Sequence, residues 1–226
     1  MFSQFTRLHK CAVLLVLGTT LSACTTNPYT GEQEATNAAK AAGIGAAIGA
    51  VVGILSGDDN DERRRRALIG AGIGALGGAA VGAYMDAQET KLRQQLAGTG
   101  VSVERYGDSL ILHMPGNITF PVDHYDIKGD FYPVLNSVAL VLKEYKKTLI
   151  DITGHTDSTG PYQHNMVLSQ KRADSVAQYL KAQGVEPMRV LTKGVGPDYP
   201  VASNATPEGR QLNRRVELVL RPLTLG

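Results

Sequence analysis

Eight glycines fall at intervals of four in two sets: Gly45, Gly49, Gly53 and Gly57, then Gly70, Gly74, Gly78 and Gly82. Each glycine costs a soluble helix about 1 kcal/mol relative to alanine, so a periodic series needs a compensating interaction. A spacing of four puts the bare positions on one helix face, where a second backbone can approach closely. The pattern predicts two helices, 38–56 and 67–85, packed through their glycine faces and joined by a charged turn, Gly57–Arg66. Ile44, Ile48, Val52 and Leu55 keep an apolar spacing that a flexible linker would lack. Ala67–Met85 runs 19 residues without a charge, and Lys40 in the first segment lies near its start, where it can snorkel. The pair reads as a hairpin inserted in, or lying against, a membrane. A glycine zipper that is soluble, or that joins copies of the chain in a homo-oligomer, is the other reading. The ladders lack the Gly-Lys-Ser/Thr ending of a phosphate-binding loop.

Residues 1–23 have the three parts of a secretory signal: basic Arg7 and Lys10, an apolar run from Cys11 to Thr20, and small residues before Cys24. The run is shorter than the roughly 20 residues a membrane-spanning helix needs. Leu21-Ser22-Ala23-Cys24 resembles the bacterial lipobox, which implies a lipidated Cys24 as first residue of the mature chain. Cys11 would leave with the signal, so Cys24 has no partner for an internal disulfide. More than one acyl chain gives durable anchoring. By resemblance to lipoprotein sorting, Thr25 rather than Asp after the Cys points to the outer membrane. Two of the 23 basic residues and none of the 21 acidic ones lie in 1–23, so the remainder carries no net charge. Arg63–Arg66 sits beside Asp58, Asp59, Asp61 and Glu62. No basic footprint for nucleic acid is present.

The second half reads as one small α/β domain. Val101–Arg105 and Ser109–Met114 flank the turn Tyr106-Gly107-Asp108 and predict a hairpin. Ile118–Phe120 is a further strand candidate. Leu135, Val138, Ala139 and Leu142 give Tyr132–Tyr145 one apolar helical face, and Ala173, Val176, Ala177 and Leu180 do the same for Leu168–Gln183. Leu149–Thr153, Arg189–Val195 and Arg215–Leu220 complete the strands. Alternating strands and helices predict a mixed sheet with the crossover helices on one face.

Asp157 follows a strand in the Gly-flanked loop Gly154-His155-Thr156-Asp157-Ser158-Thr159-Gly160, and Arg172 lies fifteen residues on, in a helix. Opposite charges so placed can face each other across a cleft suited to an ammonium and a carboxylate on one carbon. A salt bridge that merely ties loop to helix is the competing reading. His155, His164 and Ser158 beside Asp157 match no nucleophile or metal signature, so neither an enzyme nor a metal or cofactor site is expected.

Four segments carry a resemblance. Gly154-His155-Thr156-Asp157, Asn165-x-x-Leu168-Ser169-x-x-Arg172-Ala173, Gly194-x-Gly196-x-x-x-Pro200-Val201-Ala202-Ser203-Asn204 and Gly209-Arg210-x-x-Asn213-Arg214-Arg215-Val216-Glu217 together resemble the OmpA-like peptidoglycan-binding domain over residues 108–222. The lipobox and ladders extend this to a glycine-zipper outer-membrane lipoprotein. The resemblance implies noncovalent binding of peptidoglycan through meso-diaminopimelate of the stem peptide, tethering the outer membrane to the wall; the alternative is a membrane oligomer or pore built by the glycine ladders, for which the OmpA-like domain is only a wall tether. It implies that Asp157 and Arg172 hold the ligand and that Arg214 matches the first Arg of Asn-Arg-Arg. Asn165 supplies an amide, while Thr156 and Leu168 shape the pocket walls; core packing alone is the competing role for Leu168, and partnering the sheet edge or a neighbouring acid is that for Arg214. The chain divides accordingly into a signal (1–23), a lipidated linker (24–37), a glycine-zipper hairpin (38–86), a connecting helix and strand (87–107) and the OmpA-like domain (108–226). Pro121–Tyr125 departs from the family pattern and is expected to lie clear of the binding motifs.

Overall fold

The computed structural model describes residues 59–224 and, ahead of them, the two-residue strands β1 (Thr25–Thr26) and β2 (Gln33–Glu34), which pair antiparallel. Cys24, the signal and the first glycine segment (38–56) lie outside the described residues. The chain continues through α1 (Asp59–Gly70), α2 (Gly78–Leu96), β3 (Ser102–Tyr106), β4 (Ser109–Pro115), α3 (Gly116–Thr119) and α4 (Tyr132–Glu144). It ends in β5 (Thr148–Gly154), α5 (Tyr162–Ala182), β6 (Val190–Gly194), α6 (Pro207–Asn213) and β7 (Arg215–Pro222).

The main sheet has the order β3-β4-β7-β5-β6, with β5–β6 parallel and the other neighbours antiparallel. It is the expected mixed sheet of an α+β domain. The β4-α4-β5 crossover skips one position, which β7 fills from the end of the chain. Alternation decides what each face buries. Ile150, Ile152, Leu218 and Leu220 point into the main core with Leu135, Val138 and Leu142 of α4 and Val176 and Leu180 of α5. α2 adds Val81, Met85, Leu92 and Leu96 to the same core.

The opposite face of β5 and β7 is covered by α1. Leu149 and Leu223 meet Leu68, with Ile69 and Ile73 packed against them. Beside this patch Asp151 accepts from Arg64 at 2.8 Å and from Arg221 at 2.6 Å, and Arg221 also grips Asp61 with two nitrogens at 2.7 and 2.9 Å. Thus a helix stands where a charged turn is expected, and its Asp61 and Arg64 are engaged by the sheet.

The second glycine segment is not one helix over 67–85. The chain breaks between α1 and α2, where Gly72 (φ 84°) and Gly74 (φ 72°) take left-handed conformations that other residues rarely adopt. In the break, the Leu76 N–H donates to the Leu223 carbonyl at 2.7 Å. Among the described residues no helix is long and apolar enough to cross a membrane. Ile118–Phe120 is likewise not a strand. Gly116 gives its N–H to the Arg214 carbonyl at 2.7 Å, and the turn closes with Phe120 N–H on the Gly116 carbonyl at 2.9 Å. The remaining elements expected within the described residues are present, and α5 starts six residues earlier than its apolar spacing suggests, at Tyr162.

Candidate functional site

The C-terminal ends of β5 and β6 and the start of β7 lie at one end of the sheet, so three distant segments converge there. Residues past β5 are stitched to both neighbours: His155 N–H donates to the Arg215 carbonyl and Thr156 N–H to the Gly196 carbonyl, each at 2.9 Å. α5 is pressed onto the strand end because Gly154 has no side chain. A Cβ there would lie 2.0 Å from the Ser169 carbonyl oxygen. Asn213 ties the far wall, accepting from the N–H groups of Val201 (2.8 Å) and Ala202 (3.0 Å) and donating to Asn204 Oδ1 (2.9 Å). Asn204 Oδ1 in turn accepts from Ser158 N–H at 3.2 Å.

This frame encloses a cleft of ≈ 610 Å³ lined by all six residues singled out in the sequence: Thr156, Asp157, Asn165, Leu168, Arg172 and Arg214. Asp157 does not pair with Arg172. Its Oδ2 accepts from Arg214 Nη1 at 2.5 Å and its Oδ1 from Thr159 N–H at 2.8 Å. Burial pushes the Asp157 carboxyl up, but the Arg214 bond, the Thr159 bond and the Arg214 charge outweigh it and hold the carboxyl below its usual range. Arg214 therefore has a neighbouring acid as partner.

Arg172 sits in the third turn of α5 and is 4% exposed. Its Nε donates to the His124 carbonyl at 2.9 Å, and its guanidinium lies 5.2 Å from the Phe120 ring centre. The two terminal nitrogens make no hydrogen bond among the described residues, which leaves a planar fork for a ligand. Burial, and then the nearby Arg214 charge, lower its pKa, with Asp123 and Asp157 opposing. Asn165 donates to the Thr159 carbonyl at 2.8 Å, its Oδ1 remaining without a partner among the described residues. The Thr156 hydroxyl is buried and unpartnered within the same set. The cleft thus offers a carboxylate, a fork, an amide oxygen and a hydroxyl.

Seven lining residues carry no expectation from the sequence as ligand contacts: Thr159, Gly160 and Pro161 of the loop before α5, and Val122, Asp123, His164 and Arg210. The segment Pro121–Tyr125 does not lie clear of the motifs. Its His124 carbonyl anchors Arg172, and Asp123 Oδ1 stands 2.7 Å from His164 Nε2. Arg210 comes from α6, which Thr206 caps by accepting the Gly209 N–H at 3.1 Å. A Thr206-Pro207-Glu208 start is a legible helix signal. It would have put Arg210 one turn from Arg214.

The sheet order and the cleft at its end define an OmpA-like domain, and the chain belongs to the OmpA family. A model of that family matches residues 119–214, and one of the YMGG-like Gly-zippers matches residues 6–86. The chain is 51% identical to the probable lipoprotein YiaD of Escherichia coli strain K12 over 217 residues, 96% of this chain and 99% of that protein. It is 34% identical to the peptidoglycan-associated lipoprotein of Buchnera aphidicola over 140 residues, 62% of this chain and 80% of that one. Among solved structures, the cell wall anchor of the T6SS from Pseudomonas aeruginosa superposes with a TM-score of 0.54 at 31% identity, covering 59% of this chain and 99% of that one.

Proposed function

We propose that this chain is an envelope lipoprotein that binds peptidoglycan without covalent bonds, seating the zwitterionic end of meso-diaminopimelate in the cleft. The observation that carries the reading is Arg172: a buried guanidinium held by Nε, with both terminal nitrogens uncommitted beside an ionised carboxylate. The ligand carboxylate pairs with that fork, and its ammonium adds to Asp157, whose carboxylate can accept more hydrogen bonds than Arg214 and Thr159 supply. Asn165 Oδ1 and the Thr156 hydroxyl complete the ammonium's and carboxylate's hydrogen bonds. A lysine-type stem lacks the carboxylate, leaves the fork unpaired and binds less well. Lipidation at Cys24 holds the other end of the chain in the outer membrane, making the protein a tether between membrane and wall. Relatives described as a probable lipoprotein, a peptidoglycan-associated lipoprotein and a cell wall anchor support this reading.

The test is cosedimentation of the mature chain, in mild detergent, with diaminopimelate-type sacculi. Wild type pellets, whereas Asp157→Asn and Arg172→Ala remain in the supernatant with unchanged circular dichroism. Wild type left in the supernatant would refute the reading.

A further inference from the structure

Three guanidiniums line the cleft, Arg172, Arg210 and Arg214, against two carboxylates, Asp157 and Asp123. The acids are already engaged: Asp157 by Arg214 and Asp123 by His164. Among the described residues no carboxylate pairs with Arg172 or Arg210. A zwitterionic ligand end brings no net charge. Once its carboxylate meets Arg172 and its ammonium Asp157, Arg210 still faces the cleft without a counter-ion. Covering that guanidinium with ligand strips water from it, which is costly unless an anion arrives too.

Arg210 is also fixed in place. Its Nη1 donates to the carbonyls of Asn204 at 3.0 Å and Ala205 at 3.3 Å. Nε and Nη2 make no hydrogen bond among the described residues, so the group is pinned at one nitrogen and open along one edge. A guanidinium held this way loses little freedom on meeting a carboxylate. The cleft, at ≈ 610 Å³, has room for a peptide and not only for one charged end.

We propose that Arg210 receives a second carboxylate of the same stem peptide, so that the cleft selects stems carrying two free carboxylates and one ammonium. The inference rests on the wall-binding reading and sharpens its ligand. The second carboxylate comes either from the α-carboxyl of the D-glutamyl residue or from the main-chain carboxyl of the diaminopimelate, and amidation removes each selectively.

Calorimetry on the full chain in detergent tests this with L-Ala-γ-D-Glu-meso-diaminopimelate and its two singly amidated forms. Amidation at one of the two positions is expected to weaken binding to wild type about tenfold, the loss of one charge-assisted pair. Arg210→Gln should lose the same factor on the free tripeptide and no longer separate it from that amide, and Arg210→Lys should fall between. The wild-type comparison needs no variant, so a folding defect in Arg210→Gln cannot mask the answer. Equal binding of all three ligands to wild type, or full discrimination retained by Arg210→Gln, overturns the proposal. If wild type binds the tripeptide through Asp157 and Arg172 yet ignores amidation, only the Arg210 assignment falls. If it binds none of the three, the wall-binding reading falls with it.

Discussion

Asp157 shows how one residue's surroundings set the conditions under which a site works. Burial alone would raise its carboxyl, and Arg214, first of the opposing influences, brings it below the usual value. A carboxylate depressed in the folded state stays ionised at and above its ordinary pKa, about 4. Its contribution is lost only as pH falls through the lowered value. Tripeptide binding is therefore expected to hold from pH 7 to about pH 4 and to weaken below. Arg214→Ala removes the largest lowering influence and leaves the burial, so the acid limb should move to higher pH. Binding titrations of both proteins over pH 3–7 check this, because the ligand's own carboxylates titrate alike in each. Gly154 gives a second expectation at this scale. A methyl group there would overlap backbone of α5, at 2.0 Å from the Ser169 carbonyl oxygen, rather than a side chain able to swing away. Gly154→Ala should cost at least the upper end of the about 1–3 kcal/mol typical of overpacking, read as a lowered denaturation midpoint. That Asp157 and Arg172 line one cleft was legible from a loop Asp and a helix Arg at fixed spacing, whereas Arg214 was reached only through the family resemblance. The pairing of Asp157 with Arg214 was not legible, since it depends on β7 running beside β5. Arg210 was hidden because its helix has only seven residues, too few for an apolar period to show.

At the scale of elements, the glycine-rich region turns out to pack into the OmpA-like domain. Spacing of four pointed to a helix over 67–85, but spacing records only which positions would align if the segment were helical. Gly72 and Gly74 are used instead for their positive φ, and the chain turns to join Leu223. The charged run before it forms α1 because Asp61 and Arg64 find Arg221 and Asp151 on the sheet, partners over 80 residues away and invisible to a local reading. Asp151 is 0% exposed and serves two guanidiniums, so replacing it removes the centre of a buried ionic cluster. Asp151→Asn should destabilise the fold by about 3 kcal/mol, since breaking a buried pair leaves charge poorly compensated. Urea denaturation measures this, and a change within about 0.5 kcal/mol, the range of ordinary surface substitutions, would show that the cluster is not buried as described. The same packing sets where a fragment can begin. A chain starting at residue 100 leaves out Val81, Met85, Leu92 and Leu96 from the core, whereas one starting at 59 keeps them. The shorter fragment is expected to melt lower and to bind a hydrophobic dye that the longer one excludes.

For the whole molecule, the proposed tether needs two attachments that work independently. The site at the sheet end is built by β5, β6, β7 and the helices around them, and none of its lining residues precedes Val122. The proposed membrane attachment resides in Cys24, far upstream in the chain. Such separation predicts a specific pattern among variants expressed in the bacterium. Cys24→Ala should leave the membrane fraction and still pellet with sacculi, because the cleft is untouched. Asp157→Asn should stay in the membrane fraction and lose the sacculi, because Arg214 then faces an uncharged amide and the ligand ammonium has no anion to meet. Only wild type should hold both, and only wild type should resist extraction of outer membrane from wall fragments by mild shear. Were Cys24→Ala also to lose wall binding, the two ends would be coupled: the cleft would then require a membrane-held or multimeric chain, with avidity from several weak sites replacing one adequate one. Measuring pelleting of Cys24→Ala across a range of protein concentrations separates the cases, since a single independent site gives a simple saturation curve whereas avidity gives one that steepens with assembly.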